Sequence, residues 1–478
     1  MNNLINFQYY YNKHKEINSI IELIDIKKYY DFDLIIDNLI KHKQYKKDIN
    51  GEVPTPISVI EKLLDKLEEY EPDIYKKKYK YFDHSAGIGI FFICLYKRLI
   101  RYHTHDDIIN NMLYMSEIDS TNCYYLRQIF GKDINLYNGD TLSLKPEIKW
   151  KINKFDIIMG NPPYNSGVCI SNKNSRISRT KGIKINWPLF VLYSLKYLKQ
   201  YGWFINISPI SWLKINNIIH DKLFKRQIYY LETYMDFYTR KIFDVTIHIT
   251  ASIIKNTKNN NQNFITEKVC NDRHGDKYYD KIILNPNYNI PLFNDKFFIK
   301  ILNICNKYGT IKYNNYNKKY VEGIKIYSPS LDNISQNKCY AIETYTKSKG
   351  YLYKEINKEK YKDIDIINKP KLILCHKSSL KYGYIDSGKY GISGRNNFYI
   401  LNDNINDLKI IKKYLEFNIF EMFNKSLKYN DNYVDNLIWN YIPDILKIEN
   451  YDKLTEDDFY NLCSFTEEEK EYINSYHY

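Results

Sequence analysis

Residues 155–165 read FDIIMGNPPYN. The apolar run at 157–159 is typical of a buried parallel strand, and the Asn-Pro and Pro-Pro pairs that follow end a strand abruptly. The stretch therefore predicts an α/β fold in which a rigid loop, residues 161–164, lies at the carboxyl end of a strand. Ligands bind outside that end of the strands in open α/β sheets.

The side chains of this loop suit an amine substrate. The Asn161 side-chain oxygen is a hydrogen-bond acceptor, and the Pro162 carbonyl is a second acceptor on a backbone whose φ is fixed. Two acceptors can hold both hydrogens of an NH₂ group, and the Tyr164 ring can stack on a planar base. The alternative is that Asn-Pro-Pro-Tyr is only a turn in a chain rich in Asn and Tyr.

A second loop suits a cofactor. Residues 80–92 read KYFDHSAGIGIFF, which predicts a strand ending at Asp83, a short loop, and an apolar run that can begin a helix. Gly87 and Gly89 allow the backbone to turn tightly and to approach a ligand closely. The third glycine of GxGxxG is missing, so the pattern does not favour pyrophosphate binding.

Carboxylates follow the next two predicted strands. Glu117 comes after the apolar run at 112–115 and is placed to bind ribose hydroxyls. Asp140, which follows Asn138 and Gly139, could accept a hydrogen bond from an adenine amine. The alternatives are an ordinary Glu at a strand end and an ordinary turn at Asn-Gly-Asp.

Taken together, these residues resemble the AdoMet-dependent N6-adenine DNA methyltransferases. The match is to their γ arrangement, which places the cofactor motifs first, the catalytic loop next and the target-recognition region last. Three further segments agree with it, at 51–56 (GEVPTP), 202–212 and 236–246. The resemblance covers residues 50–255 well. It implies a Rossmann-like AdoMet methyltransferase sheet followed by a C-terminal mixed α+β target-recognition domain.

The resemblance also implies roles for individual residues. The catalytic residues would be Asn161, Pro162, Pro163 and Tyr164. The cofactor-binding residues would be Thr55, Pro56, Asp83, Ala86, Gly87, Gly89, Glu117, Ile118, Asp140 and Asn161. Phe243 would stack on the target base opposite Tyr164, although Phe237 competes for that role. His84 departs from the proline that many family members carry after the Asp.

The reaction implied by the resemblance is methyl transfer from AdoMet to the exocyclic N6 of adenine. That atom is inaccessible inside a duplex, so the base must be flipped out and stacked between aromatic rings. A neutral Asn suffices because the proton can leave after the methyl is transferred, and no metal is expected. The setting would be a restriction-modification system or an orphan modification system, bacterial or viral.

The composition agrees with double-stranded DNA as a partner. The formal net charge of +14 and the pI of about 9.0 favour a polyanion, although an AT-rich genome produces the same bias. Arg176, Arg179 and Lys181 are the candidate DNA contacts, in a basic stretch at 166–186 that follows the catalytic loop directly. The alternative is a solvated loop. A separate restriction endonuclease is left open as a second partner.

A chain of 478 residues is too long for one core, so two main domains are expected. Residues 1–48 show an amphipathic helical pattern and are interpreted as an N-terminal extension. Residues 49–256 would form the catalytic domain. The polar run NTKNNNQN at 256–263 suggests a boundary, and residues 257–478 would form the target-recognition domain.

The cysteine pattern and hydropathy predict the cellular compartment. Eight cysteines are scattered without a CxxC pair, which argues against zinc and against a disulfide framework. Reduced thiols are typical of the cytosol. No signal peptide and no apolar run of membrane-spanning length is visible. The expectation is a soluble protein in a bacterial cytoplasm, or in a host cytoplasm if the source is viral, with no membrane partner.

Other enzymes on this fold also use Asn-Pro-Pro-Tyr. Protein-glutamine and guanine-N2 RNA methyltransferases do so, but they tend to carry their extra domain before the catalytic one. Cytosine-N4 methyltransferases usually have Ser in place of Asn161. A non-catalytic DNA-specificity subunit is a further alternative, against which the intact motif set argues. No PD…ExK nuclease constellation is visible.

Overall fold

The structure is a computed structural model. It describes residues 55–164 and 187–475, apart from gaps at 216, 259–263, 272–274, 276, 286, 317–322, 328, 331–333, 347, 362, 376–378, 395–396, 429–433 and 435. The expected N-terminal extension at 1–48 and the proposed DNA contacts Arg176, Arg179 and Lys181 lie outside the described residues. The chain divides into two compact units between Tyr288 and Asn289.

Among the described residues, the first unit contains one mixed sheet of nine strands. In chain order these are β1 (Tyr81–Asp83), β2 (Leu113–Glu117), β3 (Asn135–Asn138), β4 (Phe155–Gly160), β5 (Leu198–Pro209), β6 (Arg226–Tyr234), β7 (Ile249–Lys258), β8 (Ile265–Asn271) and β9 (Lys277–Ile283). Their spatial order is β3-β2-β1-β4-β5-β7-β6-β8-β9. Neighbours from β3 to β5 are parallel, whereas β7 is antiparallel to both β5 and β6.

The strand order confirms the predicted Rossmann-like sheet. The order 3-2-1-4-5 is that of a doubly wound sheet, in which the direction of winding reverses between β1 and β4. Strand β4 is apolar and almost wholly buried, as its near-continuous hydrophobic run predicts for a central parallel strand. The reversal point therefore lies at the carboxyl ends of β1 and β4, where the two predicted loops emerge.

Helices cover this sheet and fill the connections. Those of the first unit are α1 (Ile57–Tyr70), α2 (Ile90–Leu99), α3 (His105–Asp107), α4 (Ser120–Phe130), α5 (Pro146–Lys149), α6 (Trp187–Tyr197), α7 (His220–Phe224) and α8 (Asp236–Tyr238). Short 3₁₀ turns lie at Ile74–Lys76, Thr141–Ser143 and Ile210–Leu213, and π turns at Ile108–Met112 and Thr239–Phe243.

Helix α1 is amphipathic and contacts strands β5 and β6 of the sheet. Its buried residues form one stripe, at Val59, Ile60, Leu63, Leu64 and Leu67. Charged contacts fix its orientation. Lys62 Nζ lies 2.6 Å from the buried carboxylate of Glu232 on β6, and Glu71, just after the helix, accepts a hydrogen bond from the indole nitrogen of Trp203 at 2.6 Å. These anchors fix the position of Thr55, which lies two residues before the helix.

The second unit has a different architecture. Its strands are β10 (Asn314–Tyr316), β11 (Ile324–Tyr327), β12 (Lys338–Thr346), β13 (Gly350–Asn357), β14 (Lys371–Leu374), β15 (Gly383–Asp386), β16 (Gly391–Ile392) and β17 (Asn397–Leu401). Among the described residues they form two four-stranded sheets, β10-β17-β14-β15 and β11-β13-β12-β16. An apolar cluster that includes Ile342, Tyr353 and Ile373 contains residues from both sheets.

Further helices complete the second unit. They are α9 (Asp295–Tyr308), α10 (Ile364–Ile367), α11 (Ile405–Leu415), α12 (Asn418–Ser426), α13 (Glu456–Leu462) and α14 (Glu467–Ser475), with 3₁₀ turns at Lys358–Lys360, Asn436–Tyr441 and Ile445–Lys447. These helices and the two sheets make the second unit a mixed α+β structure, as expected for the C-terminal part of the chain. Within it, a fully buried ion pair joins Lys371 to Asp386 at 2.5 Å.

The compact units of the structure divide at a different place from the boundary expected at 256/257. Strand β8 follows the polar run in sequence and pairs parallel to β6, and β9 pairs with β8. These strands belong to the first unit because they extend its sheet by backbone hydrogen bonds. The division between compact units falls after Tyr288.

Two general expectations concern metals and membranes. Among the described residues, no cluster of three or more His, Cys, Asp and Glu side chains could hold a metal ion, and the cysteines are free and buried. In the same part of the chain, every helix is too short or too polar to cross a membrane.

Candidate active site

The fold brings the two predicted loops together at the switch point. In the sheet register, Asp83 at the end of β1 is aligned with Met115 of β2 and Met159 of β4. The loop that begins after Asp83 therefore lies beside the loop that begins after Gly160. Since the cofactor pattern and the catalytic pattern were inferred from separate stretches of sequence, their adjacency supports the prediction of one joint site.

Glu117 shapes the glycine loop. Its carboxylate is buried and accepts hydrogen bonds from the backbone nitrogens of Gly87 at 2.7 Å and Asp119 at 2.8 Å. The two carboxylate oxygens thus hold backbone amides of the loops that follow β1 and β2. The next side chain, Ile118, is 69% exposed and offers an apolar surface at the rim of the site.

Asp140 lies beside Glu117 at the end of β3. The amide of Gly139 donates to the Glu117 carbonyl at 2.9 Å, which ties the two strand ends together. The Asp140 side chain is exposed, and its Oδ1 accepts from the Leu142 amide at 2.9 Å, capping the 3₁₀ turn that follows. Two carboxylates and an apolar side chain thus lie close together at this edge of the sheet, and their role at the nucleoside end of a cofactor stays a prediction.

Asp83 is almost completely buried, and its Oδ1 accepts a hydrogen bond from the Ser85 amide at 3.0 Å. Burial raises the pKa of this carboxyl to about 7, and the nearby charge of Glu117 acts in the same direction. A cationic ligand next to Asp83 would favour the charged form of its carboxylate. The chemistry of this position therefore suits a positively charged cofactor.

Asn161 is hydrogen-bonded to a residue that is distant in sequence. Its side-chain nitrogen donates to the Thr55 hydroxyl at 3.1 Å. Because the nitrogen arm of the amide is turned towards Thr55, the oxygen arm is directed away from Thr55. Thr55 itself is buried. The structure thus brings together two predicted site residues that are 106 positions apart in the chain.

Tyr164 does not offer a stacking surface in this conformation. The side chain is 5% exposed and belongs to the main apolar cluster of the first unit. Burial raises the pKa of its phenol, so the side chain is neutral. The stacking role predicted for Tyr164 requires the ring to become accessible when a base enters, and it stays a prediction.

The two candidate partners for the other face of the base differ in burial. Phe243, the first choice from sequence, is 1% exposed and packs edge-on against Tyr234, with ring centroids 5.2 Å apart. Phe237 is 44% exposed, and the ammonium of Lys241 lies 5.7 Å from its ring centroid. Burial therefore favours Phe237 over Phe243 as the accessible aromatic ring, because a stacking partner must present a face.

One residue of the site was noted in the sequence only as a departure from the family pattern. His84 is fully buried and packs against Gly160, the residue directly before Asn161. Thr141, which was not singled out, donates from its hydroxyl to the His84 carbonyl at 2.7 Å. A single sequence contains no signal for these contacts, because they join three separate strand ends.

One family model matches part of the first unit. Residues 32–209 match the family model described as N-6 DNA Methylase. This range contains the glycine loop, Glu117, Asp140 and the Asn161 loop. Among curated proteins, no sequence matches the chain.

Three solved structures match the chain at low identity and with TM-scores below 0.5. A protein of Listeria monocytogenes described as a class I S-adenosylmethionine-dependent methyltransferase is 15% identical, with 43% of this chain and 61% of that chain covered and a TM-score of 0.30. A nuclease-deletion mutant of the type ISP restriction-modification enzyme LlaGI is 14% identical, with coverage of 84% and 46% and a TM-score of 0.48. The type IIG restriction endonuclease BpuSI is 12% identical, with coverage of 86% and 61% and a TM-score of 0.40. The chain therefore spans less than two thirds of each of these proteins.

Proposed function

We propose that this chain, whose residues 32–209 belong to the N-6 DNA methylase family, is a site-specific DNA methyltransferase. It would transfer a methyl group from AdoMet to the N6 amine of a flipped-out adenine. The observation that carries the proposal is the adjacency of the glycine loop and the Asn161 amide at the switch point of the sheet. The setting would be a restriction-modification system or an orphan modification system.

The residues of the site fit AdoMet chemically. Glu117 and the exposed Asp140 supply acceptors for ribose hydroxyls and an adenine amine, while the exposed Ile118 supplies an apolar surface for a planar ring. Asp83 would supply negative charge for a cationic ligand, Thr55 contacts Asn161, and Pro56 is the next residue in the chain. When bound, AdoMet supplies an electrophilic methyl group on a sulfonium.

The chain's own contribution is to bind and orient the target amine. The Asn161 oxygen and the Pro162 carbonyl would accept the two N6 hydrogens, which favours a pyramidal nitrogen with a localised lone pair. Holding that nitrogen in line with the methyl group accounts for much of the rate in reactions of this kind. Asn161 stays neutral throughout, because the proton can leave to water after transfer. We assign no step to a metal.

Flipping of the target base requires aromatic surfaces. We propose Phe237 as the accessible ring on one side, because it is 44% exposed. Tyr164 would provide the other side after its ring moves out of the apolar cluster. Phe243 would support this region from the core rather than touch the base.

Double-stranded DNA is the proposed partner, and a separate restriction endonuclease is a further one. The formal net charge of +14 favours a polyanion. Arg176, Arg179 and Lys181 remain candidate phosphate contacts, since they follow the catalytic loop closely in sequence. The second unit, from Asn289 onwards, is proposed as the main part of the target-recognition domain.

The direct test is transfer of labelled methyl from AdoMet to unmethylated genomic DNA, followed by digestion and mass spectrometry of the nucleosides. We expect label in N6-methyldeoxyadenosine. Label in N4-methyldeoxycytidine would change the target base. Label in RNA or in a glutamine side chain would overturn DNA as the substrate, and the absence of transfer to any of these would support a non-catalytic DNA-specificity subunit.

A further inference from the structure

His84 occupies the junction between the two loops of the site. It is the first residue after β1, and its amide donates to the Met159 carbonyl on β4 at 3.3 Å. Its own carbonyl accepts from the Thr141 hydroxyl at 2.7 Å, and the same hydroxyl lies 2.7 Å from Ser116 Oγ at the end of β2. The backbone of His84 is therefore bonded directly to β4 and to Thr141 after β3, and it is linked to β2 through Thr141.

The imidazole ring is packed directly on Gly160. A Cβ atom placed on Gly160 would lie 2.6 Å from His84 Cε1, 2.8 Å from Nε2 and 2.9 Å from Nδ1. Real Cβ atoms essentially never lie this close to another heavy atom, so the ring leaves no room for a side chain at residue 160. The φ of 157° at Gly160 independently disfavours residues other than glycine. The Phe190 ring of α6 also contacts the imidazole, with centroids 5.5 Å apart. The ring thus fills the space directly behind the residue that leads into Asn161.

The surroundings of the ring keep it neutral. The side chain is 0% exposed, and burial lowers the pKa of the imidazole to about 3. Nδ1 lies 3.1 Å from the Ser85 hydroxyl, whereas Nε2 has no hydrogen-bond partner among the described residues. A group that is enclosed by Gly160 and Phe190 and resists protonation is poorly suited to proton transfer. Its contribution must come from the space that it fills.

We propose that His84 is a positioning residue for methyl transfer, acting through its packing contact with Gly160. The ring would hold Gly160 in place so that Asn161 meets the substrate amine at the correct position relative to the glycine loop. The proline that the family pattern leads one to expect here has no amide hydrogen to donate to Met159 and no planar aromatic ring, so a proline would make neither contact in the same way. The proposal rests on the proposed function.

Four variants test the contact: His84→Ala, His84→Phe, Gly160→Ala and the double variant of His84→Ala with Gly160→Ala. The measurements are single-turnover methyl transfer, the AdoMet dissociation constant and the KM for DNA. Misplacement of a reacting group by about 1 Å can cost about 100-fold in rate. We therefore expect His84→Ala to lower the transfer rate by about 10- to 100-fold while AdoMet affinity changes by less than about threefold. His84→Phe should recover most of the rate because it keeps a planar ring.

The double variant measures the contact itself. Gly160→Ala should abolish transfer when His84 is present, because the new Cβ meets the ring. The φ of 157° at Gly160 disfavours alanine even without the ring, so part of the loss should remain when the ring has been removed. The same change should nevertheless cost at least about tenfold less than with His84 present, because substitutions of residues in contact have non-additive effects. Additive effects of the two changes would overturn the proposal. If His84→Ala and His84→Phe lost the same fraction of the transfer rate and the pH-rate profile changed, the packing proposal would be wrong. The result would instead assign His84 a role in acid-base chemistry.

A second readout does not depend on the reaction. Deuterium uptake of the peptide covering residues 155–164 should rise in His84→Ala and stay close to wild type in His84→Phe. Unchanged uptake in His84→Ala would contradict the proposal even if the protein methylated another substrate. Conversely, normal DNA methylation by wild type together with an unaffected His84→Ala variant would reject the role of His84 and leave the proposed function intact. If His84→Ala failed to fold, as judged by thermal unfolding, His84→Asn would take its place.

Discussion

The side-chain nitrogen of Asn161 donates a hydrogen bond to the hydroxyl of Thr55 across 3.1 Å. Thr55 precedes the first described helix, and Asn161 follows the central strand of the sheet. An amide has a donor arm and an acceptor arm, so the partner of one arm decides where the other arm lies. Thr55 therefore determines the orientation of the group that we expect to hold the substrate amine.

Removing the Thr55 hydroxyl should slow methyl transfer. Thr55→Val keeps the shape of the side chain but offers no acceptor, so the Asn161 amide can rotate. We expect the single-turnover rate to fall by about tenfold, which corresponds to the loss of one hydrogen bond. Thr55→Ser keeps the acceptor and serves as the matched control. Equal rates in the two variants would show that the hydroxyl does not orient Asn161.

Asp83 should make the stability of the protein depend on pH. The folded pKa of about 7 lies above the usual value of 3.8 because the carboxyl is buried. The folded state therefore binds the proton more tightly than the unfolded chain, and stability is lost as the pH rises from about 4 to 7. Above pH 7 the cost is complete, on the order of 4 kcal/mol.

The variant Asp83→Asn removes this cost. Without AdoMet, we expect it to have a higher free energy of unfolding than wild type at pH 8, and the difference should shrink towards pH 5. Urea unfolding at both pH values measures the difference. AdoMet affinity should fall in the same variant, because the negative charge near the cationic ligand is lost. A variant that is less stable than wild type at pH 8 would contradict the assignment of the buried carboxyl.

The Glu71 carboxyl should make the stability of the protein depend on pH in the opposite sense to Asp83. Burial alone would raise its pKa, but hydrogen bonds from Lys77, Trp203 and Lys255 outweigh burial and lower the pKa to about 2. The stabilisation is therefore complete above pH 4.5 and is lost as the pH falls through 2. Glu71→Gln should lower the free energy of unfolding by about 1–3 kcal/mol at pH 7. The difference from wild type should narrow in urea unfolding at pH 3, and a constant difference at both pH values would argue against an ionic contribution.

Substitutions of Phe237 and Phe243 should have different effects, one on DNA methylation and the other on the stability of the protein. Phe237→Ala removes an exposed ring, and we expect a loss of about 5- to 100-fold in kcat/KM for DNA, the range for one stacked base, with thermal stability unchanged. Phe243→Ala removes a buried ring and should destabilise the first unit by about 3–5 kcal/mol. Thermal unfolding and the kinetics of DNA methylation, measured for both variants, test these two expectations. A normally stable but inactive Phe243→Ala variant would return the stacking role to Phe243.

The sequence predicts the central sheet and both loops of the site because these features depend on local patterns. An apolar strand followed by Gly87 and Gly89, or by Asn-Pro-Pro-Tyr, can be recognised within a few residues. Glu117 and Asp140 could be placed for the same reason, since parallel strands end at one edge of the sheet.

What the sequence did not predict depends on contacts between distant segments. Strand β8 follows the polar run at 256–263 in sequence, and its pairing with β6 gives no local signal in that run. The burial of Tyr164 and Phe243 depends on which helices and strands cover them. His84 and Gly160 are far apart in the chain, and the sequence around each of them does not indicate that they are in contact.

The central claim is that Asn161 holds the amine that receives the methyl group. The most direct measurement compares wild type with Asn161→Ala in two assays, AdoMet binding and single-turnover transfer of labelled methyl to unmethylated DNA. We predict label in N6-methyldeoxyadenosine for wild type and at least about 100-fold slower transfer for Asn161→Ala, with AdoMet affinity within about threefold. Near-normal transfer by Asn161→Ala would contradict the account.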